Sequence, residues 1–165
     1  MFKTPTEEEL GRMARAIGAL FLNFSGLEHT LTLAVAATMK LTEDQERPLV
    51  RGMLARAKLD ILTAYAKAHW NKEEKAKLAS IVKPALKLVE YRNDIAHGLI
   101  VHDAEARFAI ISFRGEHRFK GVEKPFTAEE TLHQSLEAER LAHEFQRLAD
   151  YLTGHLPTAT TIQSG

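Results

Sequence analysis

The first forty residues contain the pattern that most constrains the fold, because apolar residues recur there at alternating intervals of three and four. The pattern comprises Leu10, Met13, Ile17, Leu20, Phe24, Leu27 and Leu31. This spacing aligns side chains along one face of an α-helix. Thr6 and Glu9 have the spacing of a capping box, which marks a helix start. We therefore predict a helix over residues 7–39, about 50 Å long, that buries its stripe against other helices.

Three further segments carry the same kind of pattern, and we predict helices over 44–69, 72–97 and 128–153. Each follows a start signal in which Thr or Asn precedes Gln or Glu by three residues. The pairs are Thr42 with Gln45, Asn71 with Glu74, and Thr127 with Glu130. Pro84 lies inside the third segment and is expected to kink or restart that helix.

The period changes between residues 99 and 122, where β-branched and aromatic residues predict a short hairpin broken at Gly115 and Gly121. The sequence thus predicts an all-α, up-and-down bundle of about four long helices, with the hairpin inserted before the last helix. We expect one domain over 1–154, followed by a flexible tail over 155–165 that is small and polar.

Composition excludes several classes of site. The 165 residues include no cysteine, which excludes a disulfide framework, a thiolate zinc site and a cysteine nucleophile. The absence of cysteine fits a reducing cytosol. No apolar run approaches the length of a membrane span, no signal peptide is evident, and the histidines lack metal-ligand spacing. We therefore expect a cytoplasmic protein with no membrane partner, no metal and no cofactor.

The charge of the chain is uneven although its total is zero. Lys plus Arg and Asp plus Glu each number 22. Residues 47–92 contain 11 basic and 4 acidic residues, a net +7, whereas residues 1–46 and 123–165 are acidic and residues 93–122 are neutral. These charges predict either solvated helix faces paired with acidic neighbours or a surface that attracts phosphate.

The segment from Tyr91 to Gly98 places polar residues at the end of an otherwise apolar helix. Asn93 and His97 are four residues apart and so lie on one helix face. Gly98 is a natural C′ residue, which leaves His97 at a helix terminus. A polar helix end, at which the helix dipole favours His, would produce the same residues without any catalytic role.

Arg92, Asn93 and His97 form an Arg-x4-His pattern with a polar residue after the Arg, and in this the chain resembles the HEPN superfamily (higher eukaryotes and prokaryotes nucleotide-binding domains). The resemblance implies a helical bundle that forms a homodimer. It also implies a metal-independent endoribonuclease of the kind found in toxin–antitoxin pairs and phage defence. Two such motifs would face each other across the dimer interface, where they would bind and cleave an RNA substrate.

The residue types fit this chemistry. Imidazole exchanges protons near neutral pH, so His97 can act as general acid or base. Arg92 offers planar donors to phosphate oxygens as negative charge develops. Asn93 can bind phosphate or orient His97, whereas Asp94 is expected to pair with a nearby base or to face solvent.

Two alternatives remain open at this point. The chain could be a non-catalytic HEPN module that binds a nucleotide or a partner protein, or it could be a harmless partner of the antitoxin type. In toxins controlled by nucleotidyltransferase antitoxins, a Tyr commonly follows the motif His two residues later. That position is Leu99 here, which argues against that mode of control.

Two other groups have weaker functional interpretations. Trp70 and Tyr65 could stack on a base, although helix packing accounts for them as well. Basic residues of the hairpin could guide RNA or could simply be solvated. They are Arg107, Arg114, Arg118 and Lys120.

Overall fold

The computed structural model describes residues 4–102, 107–112 and 122–154. Within these ranges the chain forms a helical bundle with a small antiparallel sheet between its last two helices, so the predicted fold class is confirmed. The helices are α1 Glu7–Met39, α2 Glu43–Leu49, α3 Ala55–His69, α4 Lys72–His97 and α5 Ala128–Thr153. The strands are β1 Leu99–His102, β2 Phe108–Ser112 and β3 Val122–Pro125.

The long α1 helix supplies the centre of the core, as its apolar stripe predicts, except that Leu10 at the start of the stripe is 50% exposed. Leu20, Leu27 and Leu31 are fully buried, and the exposed fractions of Met13 and Phe24 are below a tenth. Thr6 and Glu9 form the predicted capping box. Helix α5 packs along α1, and the Asn23 side chain donates hydrogen bonds to the carbonyl and hydroxyl oxygens of Ser135.

The single helix predicted over 44–69 is wrong, because the segment forms two helices. Helix α2 ends at Leu49, directly after Pro48, and α3 begins only at Ala55. Proline cannot donate a helical hydrogen bond, and Gly52 in the following turn lowers the helix propensity further. The turn also tucks Val50 into the core, so burial stabilises the break.

The sheet contains one strand more than the predicted hairpin. Strands β1 and β2 pair antiparallel, with Leu99 opposite Ile111, as a hairpin requires. Strand β3 then pairs with the other edge of β2, giving the order β1-β2-β3. The sequence of β3 is short and polar and ends in Pro125, so it lacks the β-branched pattern that predicts a strand.

Helix α4 runs from Lys72 to His97 with Pro84 inside it, which confirms the helix predicted over 72–97 and shows no restart at the proline. Asn71 caps its first turn by accepting hydrogen bonds from the Glu73 and Glu74 amides. Buried residues on both sides of the proline, among them Leu78 and Leu88, hold the helix against the core. Tertiary packing therefore outweighs the hydrogen bond that proline removes. Among the described residues, no helix is long and apolar enough to cross a membrane.

Candidate functional site

The final two turns of α4 position Arg92, which packs against α1. Its guanidinium carbon lies 5.1 Å from the centre of the Phe21 ring and 5.4 Å from that of Phe24. The rings are three residues apart and belong to one face of α1. Guanidinium groups are attracted to aromatic faces at such distances, so α1 holds the head of Arg92 in place.

The positive charge of Arg92 is not matched by any carboxylate that the structure describes. Within the described part of the chain, the guanidinium forms no ion pair, and its one hydrogen bond runs from an Nη donor to Asn93 Oδ1 at 3.2 Å. The Nε atom is buried without a hydrogen-bond partner. A cation held by aromatic rings and one neutral acceptor keeps its attraction for a phosphate oxygen.

Asn93 and His97 are both exposed, one turn apart on α4. Asn93 accepts its hydrogen bond from Arg92, and no hydrogen bond joins it to His97 among the described residues. The structure therefore places Asn93 as a support for the guanidinium and leaves the His97 imidazole open to solvent and to a ligand. Leu99 and Ile100, which follow directly, are also exposed.

Asp94 ties the same turn of α4 to the sheet. Its carboxylate, 8% exposed, accepts a hydrogen bond at 2.9 Å from Lys124 Nζ on β3. The prediction that Asp94 pairs with a nearby base is confirmed. The pair fixes the end of α4 against the sheet and so helps to position His97.

Gly98 ends α4 as predicted, but a close approach of β2 explains its identity. Its backbone is extended, with φ −85° and ψ 163°, rather than left-handed as is usual for a glycine at this position. A Cβ atom on Gly98 would clash with the Asp94 carbonyl oxygen of α4, and it would lie 2.5 Å from Ile110 Cγ2 and 3.2 Å from the Ile111 carbonyl oxygen of β2. Only glycine lets the strand pack this closely beside His97.

We expect Gly98→Ala to lower the free energy of unfolding by about 1–3 kcal/mol, because the new methyl group overpacks the junction between helix and sheet. Chemical denaturation measures the change. The same substitution at Gly18 is a matched control, since a Cβ atom there meets nothing within 4 Å. Gly18→Ala should raise the free energy of unfolding by about 1 kcal/mol through helix propensity. Equal effects at both positions would contradict the close-approach explanation.

Tyr91, which precedes the motif, joins α4 to α5. Its hydroxyl lies 2.9 Å from Thr131 Oγ1 on α5. Burial raises the pKa of the Tyr91 phenol, an effect that the Thr131 hydrogen bond opposes and the Glu130 carboxylate reinforces. A half-buried phenol bonded to a threonine is a structural contact between α4 and α5.

Tyr65 and Trp70, the aromatic candidates from the sequence, pack against each other. Tyr65 and Trp70 meet edge to face at 6.3 Å between ring centres, and Trp70 packs against the core. This arrangement fits the helix-packing interpretation. The described residues contain no group of three or more His, Asp or Glu side chains placed to hold a metal ion. Arg114, Arg118, Lys120 and the tail over 155–165 lie outside the described residues.

Sequence reasoning missed the part that Phe21 and Phe24 play in holding Arg92. Their spacing of three on α1 placed them together on a face, but nothing local connects them with a residue about seventy positions later. Comparison with known protein families, with curated proteins and with solved structures found no match to this chain.

Proposed function

We propose that this chain is an HEPN-type, metal-independent endoribonuclease that cleaves single-stranded RNA or tRNA loops at a composite site in a homodimer. The observation that supports this best is the state of Arg92, a cation held on two aromatic rings with no carboxylate partner among the described residues. It lies five residues before an exposed His97 at the end of the same helix. A structural arginine at a helix end would normally be paired or solvated instead.

The proposed reaction uses the 2′-hydroxyl of the RNA as nucleophile. A His97 imidazole takes the proton from the 2′-oxygen as that oxygen forms a bond to phosphorus. The bond from phosphorus to the 5′-oxygen breaks, and a protonated His97 gives a proton to the leaving oxygen. Arg92 donates hydrogen bonds to the phosphate oxygens as negative charge builds up on them. A dimer supplies two imidazoles, so one can act as base and the other as acid.

Two surface features support an RNA substrate and a second copy of the chain. The basic segment over 47–92 leads directly into the motif, and lysine and arginine attract the RNA backbone. Leu99 and Ile100 are 54% and 37% exposed directly after His97, which offers apolar surface where a partner copy would cover the site. Light scattering of the purified protein tests the dimer, and a monomer at micromolar concentration would contradict the composite site.

The test of cleavage is an assay on single-stranded RNA and tRNA in the presence of EDTA. We expect products that end in a 2′,3′-cyclic phosphate and a 5′-hydroxyl, because the nucleophile belongs to the substrate. Cleavage that requires a divalent ion, or products with a 3′-hydroxyl, would contradict the mechanism. RNA that is bound and left intact would instead support the non-catalytic module.

A role as a cytoplasmic toxin or phage-defence effector, with an antitoxin or defence-system partner, follows from this activity. Expression of the wild-type chain alone should slow growth, and co-expression of a neutralising partner should relieve the effect. Unimpaired growth during strong expression, with active protein recovered from the cells, would contradict the toxin role.

A further inference from the structure

A second candidate site lies around Lys58, in a cleft formed by α1, α2 and α3. Lys58 is only 2% exposed, yet it lines a cleft of about 620 Å³. This volume falls within the range of small-molecule sites, roughly 300–1,000 Å³. A buried lysine at the wall of an open cleft requires an explanation, because lysines are almost never fully buried without a partner.

The ammonium group of Lys58 is only partly satisfied. Nζ donates to Thr32 Oγ1 at 2.8 Å and to the Glu28 backbone carbonyl at 3.4 Å. An ammonium group has three protons, so one proton has no acceptor among the described residues, and no carboxylate there forms an ion pair with it. Burial lowers the pKa of Lys58, whereas the Glu28 and Glu46 carboxylates act in the opposite direction. An anion in the cleft would supply the missing partner.

Other side chains of the cleft complement such an anion. Arg47 on α2 and Arg51 in the following turn are exposed and line the same cleft, together with His29 of α1. Neither arginine forms an ion pair with a described carboxylate. The cleft thus offers two guanidinium groups and one ammonium group as donors, which suits the several oxygens of a phosphate group.

The cleft is also lined by glutamates, which indicate that the ligand carries hydroxyl groups as well as phosphate. Glu28, Glu43 and Glu46 also line the cleft, and carboxylates accept hydrogen bonds from hydroxyl groups. We propose that the Lys58 cleft is a phosphate-binding site, in which Lys58, Arg47 and Arg51 hold the phosphate of a hydroxyl-bearing monoester. A small sugar phosphate or the phosphorylated end of an RNA strand would carry this chemistry.

The cleft lies apart from Arg92 but along the same face of α1. Arg92 contacts that face at Phe21 and Phe24, and Lys58 contacts it at Glu28 and Thr32. The midpoints of the two pairs are separated by about 11 Å of helix axis. The phosphate site does not depend on cleavage, so phosphate binding that Lys58→Met weakens would support this site even if the RNA cleavage assay failed.

Titration calorimetry with ribose 5-phosphate, inorganic phosphate and ribose tests the site. We expect the two phosphates to bind the wild type and ribose to bind far more weakly. Lys58→Met keeps a linear side chain and removes the charge, and it should weaken phosphate binding about tenfold or more. Lys67→Met is the matched control, because Lys67 is exposed on the same helix, and it should change the affinity less than about twofold.

Two further measurements identify the source of the phosphate and keep the test valid if a variant misfolds. A hexanucleotide with 2′-O-methyl groups and a 5′-phosphate is titrated in parallel, and weaker binding by Lys58→Met would identify an RNA end as a ligand. Arg51→Ala alters an exposed side chain, so it tests the site even if Lys58→Met fails to fold. The proposal is overturned if no phosphate probe binds the wild type, or if Lys67→Met weakens binding as much as Lys58→Met does.

Discussion

Replacing His97 with alanine should lower the rate of RNA cleavage by about 10²–10⁴-fold, the usual contribution of a general acid or base. The loss is expected in the rate of the chemical step, measured under single-turnover conditions in EDTA. RNA binding should change little, because phosphate contacts belong to Arg92 and the basic helices. His97 is exposed, so its removal should leave the melting temperature unchanged within about 2 °C.

His143→Ala is the matched control for this experiment. His143 is an exposed histidine on α5, outside the Arg-x4-His motif, and its replacement should leave cleavage unaffected. The catalytic role of His97 fails if both variants cleave like the wild type. If the His97→Ala and His143→Ala preparations cleave RNA equally, the cleavage can also come from a contaminating nuclease. Mapping the ends of the products can detect such a nuclease.

Replacing Arg92 with alanine should lower cleavage by about 10²–10³-fold, the typical cost of removing one donor that stabilises transition-state charge. Arg92→Lys should recover little of this loss. Lysine keeps the charge, but it lacks the planar fork that binds phosphate oxygens and stacks on the rings of Phe21 and Phe24. Single-turnover rates of the two variants provide the comparison.

Stability must be measured alongside these rates, because Arg92 also packs against α1. Loss of the stacking should lower the free energy of unfolding by about 0.5–2 kcal/mol, which leaves the fold populated. The proposed role of the guanidinium is contradicted if Arg92→Ala cleaves at the wild-type rate. Recovery by Arg92→Lys to within about threefold would show that charge alone is required.

Local signals in the sequence account for most of the helices. The stripe of α1 and the cap at Asn71 act over three or four residues, so the sequence reveals them directly. At the break between α2 and α3, Pro48 and Gly52 are local signals, but the burial of Val50 that stabilises the break depends on distant parts of the chain. In the first half of α5, Thr131 and Ser135 are buried, whereas Leu132 and Leu136 are exposed. Hydrophobicity alone predicts the opposite for that turn.

In the candidate site, too, some features follow from the local sequence and others from contacts between distant residues. The motif identified Arg92, Asn93 and His97, and the helix end at Gly98 placed His97 at the surface. The rings that hold Arg92 and the burial of Lys58 beside Thr32 depend on contacts between helices. Such contacts join residues far apart in sequence, and a single sequence without tertiary information does not reveal them.

The pairing of β1 with β2 determines how precisely His97 is positioned in the proposed active site. Only Gly98 separates His97 from Leu99, which pairs with Ile111. A slip of one residue in this register would shift the strand by about 3.3 Å. A hydrogen bond through which His97 transfers a proton would not survive a displacement of that size. The slip would also turn Ile110, now 4% exposed, away from the core. The burial of one isoleucine in the sheet thereby protects the position of an imidazole at the end of the neighbouring helix.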